Sequence, residues 1–189
     1  MPLAEKIHDQ VDEALNSDGR SLGHVLTGAA ICLAAVGIST LVAAYRTPGG
    51  VNAKVERQYD RLDEPALAPP KKAISILWPA LFSVTSLAAL RIWNAPSSPE
   101  RTRALAMWGG LQALNTIWMA LGPKRRAEQV VAALSTAGLT AAYAGAARKV
   151  DEKAAGMVAP YAGWVSFANL FTGEMWRKNL DKPAGATVH

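Results

Sequence analysis

The chain has 189 residues, half of them apolar, with 20 Lys and Arg against 15 Asp and Glu and a formal charge of +5. That length allows one domain, and the composition excludes a disordered chain, a collagen and a disulfide scaffold, because Cys32 is the single cysteine. Mean hydropathy is only +0.09, so the informative quantity is the spacing of the charges. Uncharged stretches cover 21–45, 73–90, 104–123, 129–147 and 154–173, which are 25, 18, 20, 19 and 20 residues long. A hydrocarbon core ~30 Å thick needs roughly 20 helical residues, with about 17 to 25 used. None of the five shows the outward-facing charges every three or four residues that a soluble bundle would carry. The expected fold is all-α, an integral membrane bundle of five transmembrane helices at about 21–45, 73–93, 104–122, 128–147 and 154–176.

Residues 1–20 form a polar N-terminal tail in which Leu3, Ile7, Val11, Ala14 and Leu15 share one helical face, so a short amphipathic helix is expected there. Its acidic character disfavours anionic lipid and favours an ordered tail. The first apolar run follows this polar segment and is long enough to stay in the membrane, so it reads as a span and not a cleaved leader. Cys32 lies inside that run and reads as a small buried hydrophobe.

The connection 46–72 is the longest. It carries Thr47-Pro48-Gly49-Gly50, then a charged segment, then Pro65, Pro69 and Pro70. It is too polar to span; 51–62 suits a short interfacial helix, and the prolines set an extended entry into the second span. The connections 94–103, 124–128 and 148–153 are short, which forces neighbouring helices antiparallel, and 179–189 forms a C-terminal tail. With the N-terminus outside, twelve Lys and Arg fall on the inner side and eight on the outer, so the expected orientation is N-out and C-in. The basic balance thus reflects topology, and no aromatic-interleaved basic patch or motif points to nucleic acid.

Conventional catalytic groups are scarce. His8, His24 and His189 are not spaced with Cys or carboxylates as a metal site needs, and Gly49-Gly50 is a turn, not a phosphate cradle. No catalytic residue and no metal ligand is expected, and His24 reads as an amphipathic ring at headgroup level. The six tryptophans carry more. Trp93 and Trp176 sit at span ends and fit the interfacial aromatic belt, whereas Trp78, Trp118 and Trp164 fall inside spans, where an indole N–H wants a partner or the ring a flat ligand. Asn115 lies one turn before Trp118 on the same face, and Asn169 five residues after Trp164; an amide at that depth bonds either a neighbouring helix or a ligand. Glu174, closing the last helix, suits an interfacial pair with a nearby Arg or Lys.

These residues, in this order, resemble the TspO family, the tryptophan-rich sensory proteins related to the mitochondrial translocator protein. Tyr45-Arg46-Thr47-Pro48-Gly49-Gly50 is similar to the family's exit from its first helix, and Arg57, Tyr59, Leu62, Pro65, Pro69 and Pro70 keep the spacing of its first loop. Trp78 takes the place of the Trp in "G-P-V-W", and LNTIW at 114–118 matches "L-N-x-x-W". PYAGWVSFA at 160–168 and WRKN at 176–179 reproduce "P-Y-L-x-W-x-x-F-A" and "W-R-x-N" with unbroken spacing. Departures are equally specific. Gln58 and Leu67 stand where the family has loop tryptophans, Lys72 where another opens the second helix, and Phe171-Thr172-Gly173 replaces Leu-Asn-Tyr. The Gly-Pro before Trp78 is Ser75-Ile76, and the Pro-x-Phe-Phe after Trp118 is lost, with 119–122 in its place.

The resemblance implies binding of flat hydrophobic ligands, tetrapyrroles such as protoporphyrin IX and haem or sterol-like molecules, by a sensor, regulator or carrier that forms a homodimer. Tyr59, Trp78, Asn115, Trp118, Trp164, Phe167 and Ala168 are the expected ligand-binding residues, under a lid containing Pro69 and Pro70, with Arg57 and Lys72 at a basic rim able to meet propionates. No cofactor is obligatory; a bound porphyrin, haem or lipid is the expected occupant. Two other readings stand beside this one: an accessory subunit of a larger membrane complex with a reshaped or lost pocket, and a tryptophan-dependent breakdown of bound porphyrin.

Overall fold

The computed structural model describes residues 3–181 and contains seven helices: α1 (Leu3–Leu15), α2 (Leu22–Arg46), α3 (Ala53–Tyr59), α4 (Lys71–Asn94), α5 (Pro99–Leu121), α6 (Arg126–Arg148) and α7 (Glu152–Lys178). There is no strand among the described residues. His189, and the C-terminal tail beyond residue 181, lie outside them. Five helices are long. Of these, α2, α4 and α6 combine the length and apolarity that a membrane crossing requires. α5 and α7 have 23 and 27 residues, but buried Gln112, Asn115 and Thr172 and charged first turns make them less apolar. The expected five spans are therefore three by apolarity, within a bundle of five long helices.

Each start has a local cause. Ser21, Asn52, Ser98 and Asp151 accept hydrogen bonds from the first backbone N–H groups of α2, α3, α5 and α7, and Pro99 at the first position of α5 forfeits an N–H that would have no helical partner. Helices α4 to α7 alternate in direction because their connections have four, four and three residues. Gly122 at φ +62° and Pro123 end α5 and start the tight basic turn.

The core sits around α4, which packs against α2, α5 and α7. Phe82, Ala88, Ile92, Leu111, Tyr143, Val158 and Tyr161 are fully enclosed. Helix α2 lies at the periphery: Leu26, Ile31, Leu33, Ile38 and Leu41 face outward, and its inner contacts depend on small residues. Gly28 is one of them, since a Cβ there would overlap the Trp93 indole and the Leu90 side chain. Cys32 is buried against α4 and donates its Sγ–H to Ser86 O at 3.3 Å.

Helix α1 docks on the end of α4. Arg91, 5% exposed, reaches Asp151 Oδ2 at 2.8 Å through Nε and donates from Nη1 to the carbonyls of Glu13 and Ala14 at 2.6 and 2.7 Å. Asn94 Nδ2 donates to Leu15 O at 2.9 Å, and Lys153 pairs with Glu13 at 2.7 Å. Nearby, His24 stacks on Trp93 with ring centroids 5.2 Å apart. Trp93 Nε1 donates to His24 O at 3.0 Å, and the Arg101 guanidinium lies 5.4 Å from the indole centroid.

Candidate ligand-binding site

At the opposite end of the bundle, tryptophans from three helices meet. Trp78, 3% exposed, is their hub: its ring centroid lies 5.3 Å from Trp118 at a tilt of 55° and 5.8 Å from Trp164, nearly edge-on at 84°. On α7 the 3.6-residue period places Trp164, Phe167, Ala168 and Phe171 on one face, with Trp164 and Phe167 centroids 5.3 Å apart. These rings wall a cavity open on one side, whose free space together with the solvent at its mouth comes to about 660 Å³. Ala168 is small enough to leave that space open.

The roof comes from the first loop. Tyr59, Pro69, Thr47 and Pro48 line the cavity from above. Their placement depends on a tight turn. Gly49, at φ +76°, packs so closely on the Lys71 carbonyl that no Cβ fits, and Gly50 does the same against Ala44 O. Gly49 N–H donates to Glu56 Oε2 at 2.8 Å, and Lys71 Nζ gathers Asp60, Glu56 and Glu64 around the head of α4. Asn179, fully buried, fastens the loop to the end of α7: its Oδ1 accepts from Asp63 N–H at 2.9 Å, and its Nδ2 donates to Asp63 O at 3.0 Å and Met175 O at 2.8 Å. The Tyr59 phenol, next to Gln129, is held above its ordinary pKa by burial.

Six of the seven expected ligand-binding residues, Tyr59, Trp78, Trp118, Trp164, Phe167 and Ala168, line this one cavity, as does Pro69. Pro70 does not; it is exposed as the N-cap of α4. Asn115 lies off the cavity wall, because Tyr161 Oη donates to its Oδ1 at 2.7 Å and ties α5 to α7. Asn169 also bonds a neighbouring helix, donating Nδ2 to Ala133 O at 3.0 Å.

The rim differs from the expectation. Arg57 and Lys72 are exposed and line no part of the cavity, and Leu67, at a loop-tryptophan position, is 81% exposed. The cation in the wall is Arg126 at the head of α6, which donates to Pro123 O at 3.3 Å and Asn179 O at 2.8 Å. Sequence reasoning missed it because the basic turn reads as a solvated connection. It also missed Gln129, Met119, Phe171, Thr172 and Met175, which the cavity brings together. Glu174 pairs with Arg177 at 2.6 Å.

The sequence profile of the TspO/MBR family matches residues 29–177, a stretch that runs from the middle of α2 almost to the end of α7 and includes every aromatic wall of the cavity. The chain belongs to the TspO/MBR family. Among relatives, this TspO chain is 32% identical over 133 residues to the sheep (Ovis aries) translocator protein, covering 68% of this chain and 79% of that one. It is 31% identical over 133 residues to the cattle (Bos taurus) protein of the same name, with the same coverage. Similarity extends to bacteria: the tryptophan-rich sensory protein of Cereibacter sphaeroides is 30% identical over 148 residues, 76% of this chain and 92% of its own. The TspO membership and the apolar helices together make this an integral membrane protein.

Proposed function

We propose that this TspO-family protein binds flat hydrophobic ligands, tetrapyrroles such as protoporphyrin IX or haem and sterol-like molecules, and acts as a sensor, regulator or carrier. The observation that carries the reading is the cavity walled by the rings of Trp78, Trp118, Trp164 and Phe167 with the Arg126 cation in its wall. Indole faces stack on a macrocycle, and a guanidinium bonds a carboxylate, so a planar ring with a carboxylate arm matches both features. Apolar ligands reach such a pocket from the bilayer, which supports a five-span bundle. In it α5 and α7 cross beside α2, α4 and α6, with N-out and C-in orientation following the Lys and Arg count. Lipid surrounds the outward face of α2, and a homodimer is the expected assembly.

Tryptophan quenching by protoporphyrin IX tests this, with Trp164→Phe and Arg126→Gln beside the unaltered protein. Saturable quenching that weakens in both variants is expected. Quenching that never saturates, or is identical in all three, overturns the reading.

A second reading is a subunit of a larger membrane complex. The outward apolar face of α2 and the loss of the loop tryptophans at Gln58 and Leu67 favour it. It predicts that Trp164→Phe leaves native complex size unchanged.

A further inference from the structure

Behind the aromatic cavity, α5, α6 and α7 leave a second, smaller recess with free space for about one water-sized group. Trp78, Trp118 and Ala168 line both spaces, so the two share a wall. The chamber differs in chemistry. Asn115 Nδ2, Trp118 Nε1, Thr136 Oγ1 and Asn169 Oδ1 are all buried without a hydrogen-bond partner, and all four residues line it. Asn115 and Thr136 are 1% and 4% exposed. Unmatched polar groups at this depth are costly, and four around one space mark a place where something bonds them.

We propose that this chamber is a recognition site for a hydroxyl group carried by the flat ligand in the aromatic cavity; the proposal rests on the ligand-binding reading above. The donor set selects that chemistry. Asn169 Nδ2 donates to Ala133 O and Val165 O at 3.0 and 2.9 Å, which orients the amide and leaves Oδ1 as an acceptor. Asn115 Oδ1 is taken by Tyr161, so its Nδ2 is a donor, and the indole of Trp118 can only donate. A carboxylate would face the lone pairs of Asn169 Oδ1. An ammonium would face two N–H donors. An ether or ketone would leave Asn169 unmatched, whereas a hydroxyl accepts from the N–H groups and donates to Asn169 at once, with Thr136 able to serve in either sense. A trapped water has the same chemistry, and the experiment separates the two.

The test compares two probes of nearly equal shape, 1-pyrenemethanol and 1-ethylpyrene, titrated into the protein in lipid nanodiscs, with empty discs as the partition reference. Energy transfer from the tryptophans to pyrene reports binding. An advantage of about tenfold for the alcohol in the unaltered protein is expected, one good buried hydrogen bond's worth. That ratio falls toward one in Thr136→Val and in Asn169→Leu. The ethyl probe, titrated against each variant, reports whether the cavity still forms. Equal binding of the two probes by the unaltered protein overturns the inference, as water held in the chamber would produce, and leaves the cavity reading standing. An advantage that survives both substitutions overturns it too. Failure of both probes to bind the unaltered protein overturns this proposal and the cavity reading together.

Discussion

Tyr161 and Asn115 are joined across α7 and α5 by a hydroxyl-to-amide hydrogen bond of 2.7 Å, and both residues are almost fully buried. The bond holds two walls of the aromatic cavity in register, since Trp118 and Trp164 each lie three residues beyond one of its partners. Tyr161→Phe removes the donor and leaves the Asn115 amide unmatched at both ends, which destabilises the protein by about 1–3 kcal/mol. Thermal unfolding in detergent checks this. Asn115→Leu added to Tyr161→Phe costs less than the two single changes summed, because the second removal orphans nothing new.

The contact between α2 and α4 depends on the missing side chain of Gly28. A Cβ there overlaps Trp93, whose indole is held by His24 and Arg101 and cannot swing away freely. Gly28→Ala is expected to cost about 1–3 kcal/mol through overpacking. The neighbouring Gly23 and Gly37 meet nothing within 4 Å, so alanine there holds or raises the melting temperature through its higher helix propensity, and the three variants measured together separate packing from helix propensity.

Removing one partner of the Arg91–Asp151 pair leaves the other charge buried. Asp151→Asn is expected to cost about 3 kcal/mol or more, and also to loosen α1, because Arg91 holds the carbonyls of Glu13 and Ala14. Limited proteolysis within 3–20 should accelerate before global unfolding does.

The Glu13 carboxyl lies below its ordinary value of 4.5 because Lys153 hydrogen-bonds it and, secondarily, attracts its charge. A carboxylate whose folded pKa is lowered contributes stability that is complete above the unfolded value and is lost as pH falls through the folded one. The docking of α1 is therefore expected to weaken in acid, below pH 4.5. Amide exchange along α1 measured as a function of pH should show this loss, and Lys153→Met should flatten the profile. The pair is exposed, so the effect is local.

Asn179 binds both the N–H and the C=O of Asp63. Asn179→Ala should free the loop 60–70 and raise both entry and exit rates of a cavity ligand, with faster amide exchange confined to that loop and the end of α7. An unchanged exchange pattern would mean that the Lys71 carboxylate cluster alone holds the roof.

Charge spacing in the sequence was enough to place five long helices, because a charge inside hydrocarbon is so costly that the uncharged runs mark the apolar segments directly. The family motifs were enough to nominate six residues that share the cavity wall, since Trp164, Phe167 and Ala168 follow one helical face and their spacing is legible along the chain. Other assignments depended on which atoms meet across helices. Asn115 left two readings open in the sequence, and only the approach of Tyr161 turned it from the aromatic cavity toward a helix–helix bond. Arg126 looked like one more loop cation among Lys124 and Arg125, and only the closure of α6 beside α7 placed it in the cavity wall, while Arg57 and Lys72 faced outward. The unmatched donors and acceptors of the second chamber come from three helices, and no periodicity along one of them could have shown that they converge.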